Sequence, residues 1–174
     1  HMYARLGRLP ELRKFYVDNR SSQVRPQTIL EAQKDMTEAR FEAAFMGVAC
    51  KMCGFFVTEA VIRQSAEHPN GVMSFADASE LWESCVRELT EFVRRHLSRV
   101  VRDPACVLRV KEAALLMGAV MADDVVGEAR AGAVTDLLRG MWPDFERIQV
   151  QHVQRECREA LAQSSFQPLQ VDTE

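Results

Sequence analysis

The sequence predicts an all-α fold, an elongated bundle or rod of about five or six antiparallel helices. Three observations predict it. Apolar residues recur at three- and four-residue spacing almost throughout, no alternating strand of useful length is readable, and the breaks between periodic segments carry proline, glycine or capping residues. At 174 residues, 47% of them hydrophobic, the chain is long and apolar enough to build a real core without disulfide or metal staples. His1 and Met2 read as a remnant of tag removal, and residues 3–174 as a single helical-bundle segment of a larger, rod-shaped protein.

The elements follow in order. A short helix is expected after Pro10, with Leu12, Phe15 and Tyr16 as its apolar stripe, ending near Pro26, which disfavours helix at Arg25. From about Thr28 to His68, Met36, Ala39, Ala43, Met46, Cys50, Cys53, Val57 and Val61 recur at helical spacing. They predict one long helix, or two joined by a kink near Gly47 and Gly54, with this stripe in the core. The stretch "HPNG" stops it. Asp77 with Glu80 three residues later predicts the next start, an acid-led capping box ahead of Leu81, Cys85, Leu89, Phe92 and Val93, in a helix to about Val101.

In "RDPA", Asp103 is the expected N-cap and Pro104 the first helical residue. Val107, Val110, Ala114, Leu115 and Met117 carry that helix to about Met121. After "ADDVVGEARAG" a last long pattern runs from Val134 through Leu137, Leu138, Met141, Phe145, Ile148, His152, Val153 and Cys157 to Leu161, bent at Pro143 and ended by "SSFQPLQV". The short connections predict that consecutive helices are antiparallel neighbours.

Composition narrows the function classes. A net charge of −3 and a pI near 5.9 argue against a nucleic-acid binder, whose phosphate contacts need a basic surplus. Residues 1–25 nevertheless hold six Arg or Lys against Glu11 and Asp18. Arg13, Lys14 and Arg20 are the candidate contacts to an acidic protein or an anionic lipid surface, the plain alternative being a solvated basic helix face. No uninterrupted apolar run of membrane-spanning length and no signal peptide is readable, and five cysteines without framework spacing suit a reducing compartment, so a cytoplasmic location is expected.

The stretch "CKMCGFFVTEAVIR" most resembles chemistry. Three-residue spacing puts Cys50 and Cys53 on one helix face with Met46, Val57 and Val61, expected to be core. A structural zinc site needs four ligands, whereas Cys85, Cys106 and Cys157 stand alone. A redox CxxC wants a strand-to-helix junction. His1 reads as vector, His68 lies in a turn, His96 sits among Arg94, Arg95 and Arg99, and His152 falls on an apolar stripe. "ADDV" reads as a polar turn, and the arginines of "VRRHLSRVVR" as a solvated face near a helix C-terminus. No catalytic residue, metal ligand or cofactor is expected; an enzyme using Cys50, Cys53 and Glu59 is the rival from another class.

Several stretches, taken together and in order, resemble one family. They are "LPELRKFYVDNRSSQ", "GFFVTEAVI", "ASELWESCVRELT", "DPACVLRVKEAALLMGAVM" and "ECREALAQSSFQPLQV". The chain resembles the middle helical region of the Sec-fifteen subunit of the exocyst, the complex that tethers secretory vesicles to the plasma membrane. The resemblance implies the extended helical rod of multisubunit tethering complexes. It also implies a non-enzymatic scaffolding role among the other exocyst subunits, with a Rab-type small GTPase bound through a region outside this segment. It makes Phe55 and Phe56 packing residues, Glu59 a helix polar position, and requires no chemistry of Cys50 or Cys53. The alternatives are a peripheral lipid-binding module acting through the basic first helix, or a different subunit of a tethering complex.

Overall fold

The computed structural model describes residues 7–25, 35–66, 72–122, 125 and 128–163. Among them are five helices and no strand: α1 (Leu9–Val24), α2 (Glu38–Ser65), α3 (Phe75–Val100), α4 (Pro104–Ala122) and α5 (Glu128–Gln163). The all-helical bundle expected from the periodicity is present. The "ADD" of the polar turn and the "SSFQPLQV" stop fall wholly or partly outside the described residues.

Helix starts are set by local hydrogen bonding. α2 begins later than the periodicity suggested, at a Thr37 N-cap whose hydroxyl accepts from the Arg40 amide, and it passes through Gly47 and Gly54 as one helix. The capping box of α3 lies one register earlier than expected: Ser74 is the N-cap and Asp77 the N3 residue, each side chain accepting from the other's backbone N–H. The signal was in the sequence as Ser-x-x-Asp, and Asp77 with Glu80 competed for the same pattern. Replacing Ser74 with alanine should cost about 1 kcal/mol, the usual worth of such a cap, seen as a lowered thermal midpoint. At α4 the expectation holds, with Asp103 Oδ1 accepting from the Ala105 amide at 2.9 Å ahead of Pro104.

α2, α3, α5 and α4 form a four-membered ring in that order, and α1 lies across α2 and α3. Paired contacts fix the directions. Phe41 stacks on Phe92 while Phe56 meets Trp82 edge-on, so α2 and α3 run antiparallel. Glu42 binds Arg109 near the starts of α2 and α4, and Arg63 reaches the Val125 carbonyl beyond their ends, so these two run parallel. Gly118 faces Val134, and Val107 and Leu108 share a groove with Trp142 and Phe145, which makes α4 and α5 antiparallel. Consecutive helices therefore alternate in direction as expected.

They are not all neighbours, however: α3 and α4 occupy opposite corners of the ring. The link is short, and Val101 is fully buried in it. The Arg102 amide donates to Glu38 Oε2 at 2.8 Å, and Arg109 makes a two-pronged bond to Glu42 at 2.6 and 2.8 Å. Both contacts draw α4 to the start of α2 instead of back along α3.

The buried stripe of α2 is the reverse of the expected one. Phe41, Phe45, Val48, Met52 and Phe56 face the core, whereas Ala43, Gly47, Cys50, Val57 and Val61 face outward and Met46 and Cys53 are half-buried. The helix is apolar on both sides, so periodicity alone offered two answers; the aromatic side wins because it removes far more surface from water. By length and composition α2 is apolar enough to cross a bilayer, though scattered charges break every uninterrupted run.

The apolar stripe of α3 is buried as expected. Elsewhere, Phe15 and Leu115 point outward instead of into the core, at 69% and 50% exposure. Val134, Leu137, Met141 and Ile148 of α5 are buried, but beyond Ile148 every residue to Gln163 is exposed except half-buried His152. At 36 residues α5 is about 54 Å long. Its last four turns carry the predicted stripe of Val153, Cys157 and Leu161 past the core.

Candidate functional site

The polar groups that converge most closely among the described residues lie beneath α1. Glu59 sits on the aromatic stripe of α2, three residues after Phe56, and is 1% exposed. The Tyr16 hydroxyl donates to its Oε2 at 2.9 Å and Arg20 Nε to its Oε1 at 2.7 Å. The same guanidinium lies over the Phe55 ring, 5.0 Å from its centroid. A buried carboxylate needs such partners to stay charged, and here both oxygens have one. Burial opposes the Arg20 charge, but the bond and field of Glu59 outweigh it and raise its pKa; burial and then Glu59 raise that of Tyr16.

Two further pins hold α1. Arg13 donates to Asp77 Oδ2 through Nη2 at 2.6 Å and Nε at 3.1 Å, and to Ser74 Oγ at 3.0 Å, so one guanidinium ties α1 to the cap of α3. Arg25 pairs with Glu88 at 3.0 Å. Of the three basic residues picked from the sequence, Arg13 and Arg20 thus bind different elements of the bundle, and Lys14 alone is fully exposed. They form no common cluster. Glu59, expected as an ordinary polar position, is the anchor that sequence reasoning missed; its spacing from Phe45, Met52 and Phe56 was the signal.

The Asp77 carboxyl is opposed by burial, yet the Ser74 side chain and backbone and then Arg13 hold its pKa below the ordinary carboxylate value. Its contribution is fully present above the unfolded value near 4 and is lost as pH falls through the lower folded value. Helicity should hold to about pH 4 and decline below it, and Asp77→Asn should flatten that acid limb in a circular-dichroism titration.

The cysteines are spread over several helices. Cys85 and Cys106 are buried, and burial first, then neighbouring carboxylates, push both thiols up to about 12. Burial and the adjacent Cys50 raise Cys53. No group of three or more His, Cys, Asp or Glu side chains that could hold a metal comes together among the described residues. The arginines of the α3 end are exposed at Arg94, Arg95 and Arg99, and burial first, then Arg95 and Arg99, lower the pKa of the His96 imidazole. Between α4 and α5 a shallow apolar groove is lined by Leu108, Leu138, Met141, Trp142 and Phe145 with Lys111 at its rim.

The described residues thus hold ion-paired pins, apolar faces and a groove between helices. No family model matches the chain, and no curated protein and no solved structure is significantly similar to it.

Proposed function

We propose that the chain is a non-enzymatic scaffold segment of an exocyst subunit, a stretch of helical rod that helps tether secretory vesicles to the plasma membrane. One observation supports the reading: the described parts of the stretches that resemble the Sec-fifteen family each lie in a different helix. "LPELRKFYVDNRSSQ" lies in α1, "GFFVTEAVI" in α2, "ASELWESCVRELT" in α3, all but the capping Asp103 of "DPACVLRVKEAALLMGAVM" in α4, and "ECREALAQ" ends α5.

In this reading the partners are other exocyst subunits, with a Rab-type GTPase engaged elsewhere in the protein. The work is done in the cytoplasm, on vesicles and at the plasma membrane, without cofactor or catalysis. Helix faces, and not single polar residues, supply the contacts. A lipid-binding role for α1 receives less support, because the Arg13 and Arg20 guanidiniums are already engaged by Asp77 and Glu59. Deleting residues 3–174 from the full-length protein should abolish vesicle capture in a secretion assay while Cys50→Ser with Cys53→Ser leaves it intact. Loss of function in that cysteine pair would instead favour thiol chemistry.

A further inference from the structure

The end of the bundle where α3 stops is a step. α3 and α5 run parallel, and the Arg147 guanidinium reaches the Ser98 carbonyl at 3.5 Å, so residue 147 is level with the last turn of α3. α3 ends at Val100, whereas α5 runs on to Gln163, about 22 Å past its last buried residue, Ile148. Arginines line both sides of the inner corner. Arg94, Arg95, Arg99 and Arg102 lie on the α3 end and its link. On the projecting part of α5 the helical repeat brings Gln151, Gln154 and Arg158 round to the side of Arg147, with Arg155 next to them. Of the carboxylates on that part, Glu156 takes the opposite side, against His152, and Glu159 lies a third of a turn round from Arg147.

The positive charge in the corner is under-neutralised. Arg102 Nη1 reaches the same Ser98 carbonyl at 3.4 Å, so two guanidiniums share one neutral acceptor. Arg155 has only the His152 ring, at 2.9 Å, and Arg99 and Arg158 are exposed with no bonding partner among the described residues. The carboxylates bonded here are already engaged: Glu91 holds Arg94, Asp144 holds Arg147, Glu38 accepts the Arg102 amide and Asp103 caps α4. In a chain of net charge −3 the surplus is local.

We propose that this corner is a docking site for an acidic helix of a partner protein, laid along the inner side of the α5 extension with its end against Arg99 and Arg102. Converging guanidiniums bind carboxylates in pairs, and the Gln151 and Gln154 amides between them both donate and accept. Arg147 to Arg158 covers about 16 Å, three turns of helix, so a partner helix with carboxylates along one face over that length matches it. Shape and charge select this occupant. A flat bilayer resting on the tip of α5 stands clear of Arg99 and Arg102, and a phosphate ion spans only the Arg102–Arg147 pair. A nucleic-acid duplex longer than the corner runs on over a surface whose remaining charge is negative. The inference holds whichever assembly supplies the partner.

The test uses the 174-residue chain and a labelled, end-capped, alanine-rich peptide with glutamates on one helical face, set against its glutamine counterpart. In fluorescence anisotropy at low salt the glutamate peptide should bind and the glutamine peptide should not, and the affinity should fall as salt rises. Arg102→Gln with Arg158→Gln should weaken binding about tenfold, with melting within a few degrees of the parent. Arg8→Gln with Arg139→Gln, exposed arginines away from the corner, should change it less than about twofold. Amide shifts on titration should cluster in residues 94–102 and 147–158. Equal losses in the two double variants would show a diffuse charge effect, and phosphatidylserine vesicles or a short DNA duplex displacing the peptide through Arg102 and Arg158 would point to another class of partner. Either result, like failure of the glutamate peptide to bind, would overturn the proposal.

Discussion

Phe56→Asp should leave no folded protein. Phe56 is 1% exposed, meets Trp82 edge-on at 5.4 Å between ring centroids and packs against Phe55 at 5.2 Å, so the new carboxylate would be buried among aromatic rings. An unpaired buried charge costs several kcal/mol, added to about 3–5 kcal/mol for the lost ring. That sum matches the whole stability of a typical domain, about 5–15 kcal/mol. The expected result is a flat thermal scan with aggregation; a cooperative transition near that of the parent would mean that α2 does not bury this side. Val57→Asp, one residue on and 39% exposed, is the control and should melt within a few degrees of the parent.

Arg20→Ala should release α1 from the bundle. It leaves Glu59 buried with only the Tyr16 hydroxyl, and removing one partner of a buried pair costs about 3–5 kcal/mol. Arg20 retains 27% exposure, so the lower end of that range is expected. The loss is local, since α1 contributes just one fully buried side chain, Val24. Circular dichroism should fall by about one helix while the remaining transition persists, and α1 amides should exchange hydrogen rapidly. Arg20→Met with Glu59→Leu should restore much of the docking, because an apolar pair leaves no stranded charge. If the double replacement is worse than the single one, the pair is not the pin. Charge reversal of Arg13, Lys14 and Arg20 together would likewise undock α1, so a trafficking defect from it would not by itself show a lipid contact.

Elements with one apolar face were readable in the sequence. α3 shows this best: Leu81, Cys85, Leu89, Phe92 and Val93 form a single stripe with charges opposite, and all are buried. α2 defeated the same reasoning because both its faces are apolar, and periodicity then carries phase without telling which phase is inside. The buried role of Glu59 followed from that error, since choosing the Cys50 face turned Glu59 toward solvent. Ring order was beyond sequence reasoning for a different reason. Short loops constrain distance between helix ends, and the Arg102–Glu38 and Arg109–Glu42 contacts that send α4 to the far corner join residues more than 60 positions apart.

Cys50 and Cys53, expected in the core, are instead exposed and half-buried. Cys50 ended on the outer stripe with Gly47 and Gly54. The basic residues of α1 were legible as a set and illegible as contacts: charge alone does not show that Asp77 and Glu59 lie underneath.

Native isolation of the full-length protein from cells, followed by mass spectrometry of what remains bound, tests the scaffold reading most directly. The account predicts that the other exocyst subunits co-purify near stoichiometry, and that crosslinks from residues 3–174 reach helical regions of those subunits. Recovery of the protein free of any exocyst subunit, in a form whose deletion leaves secretion unchanged, would contradict it.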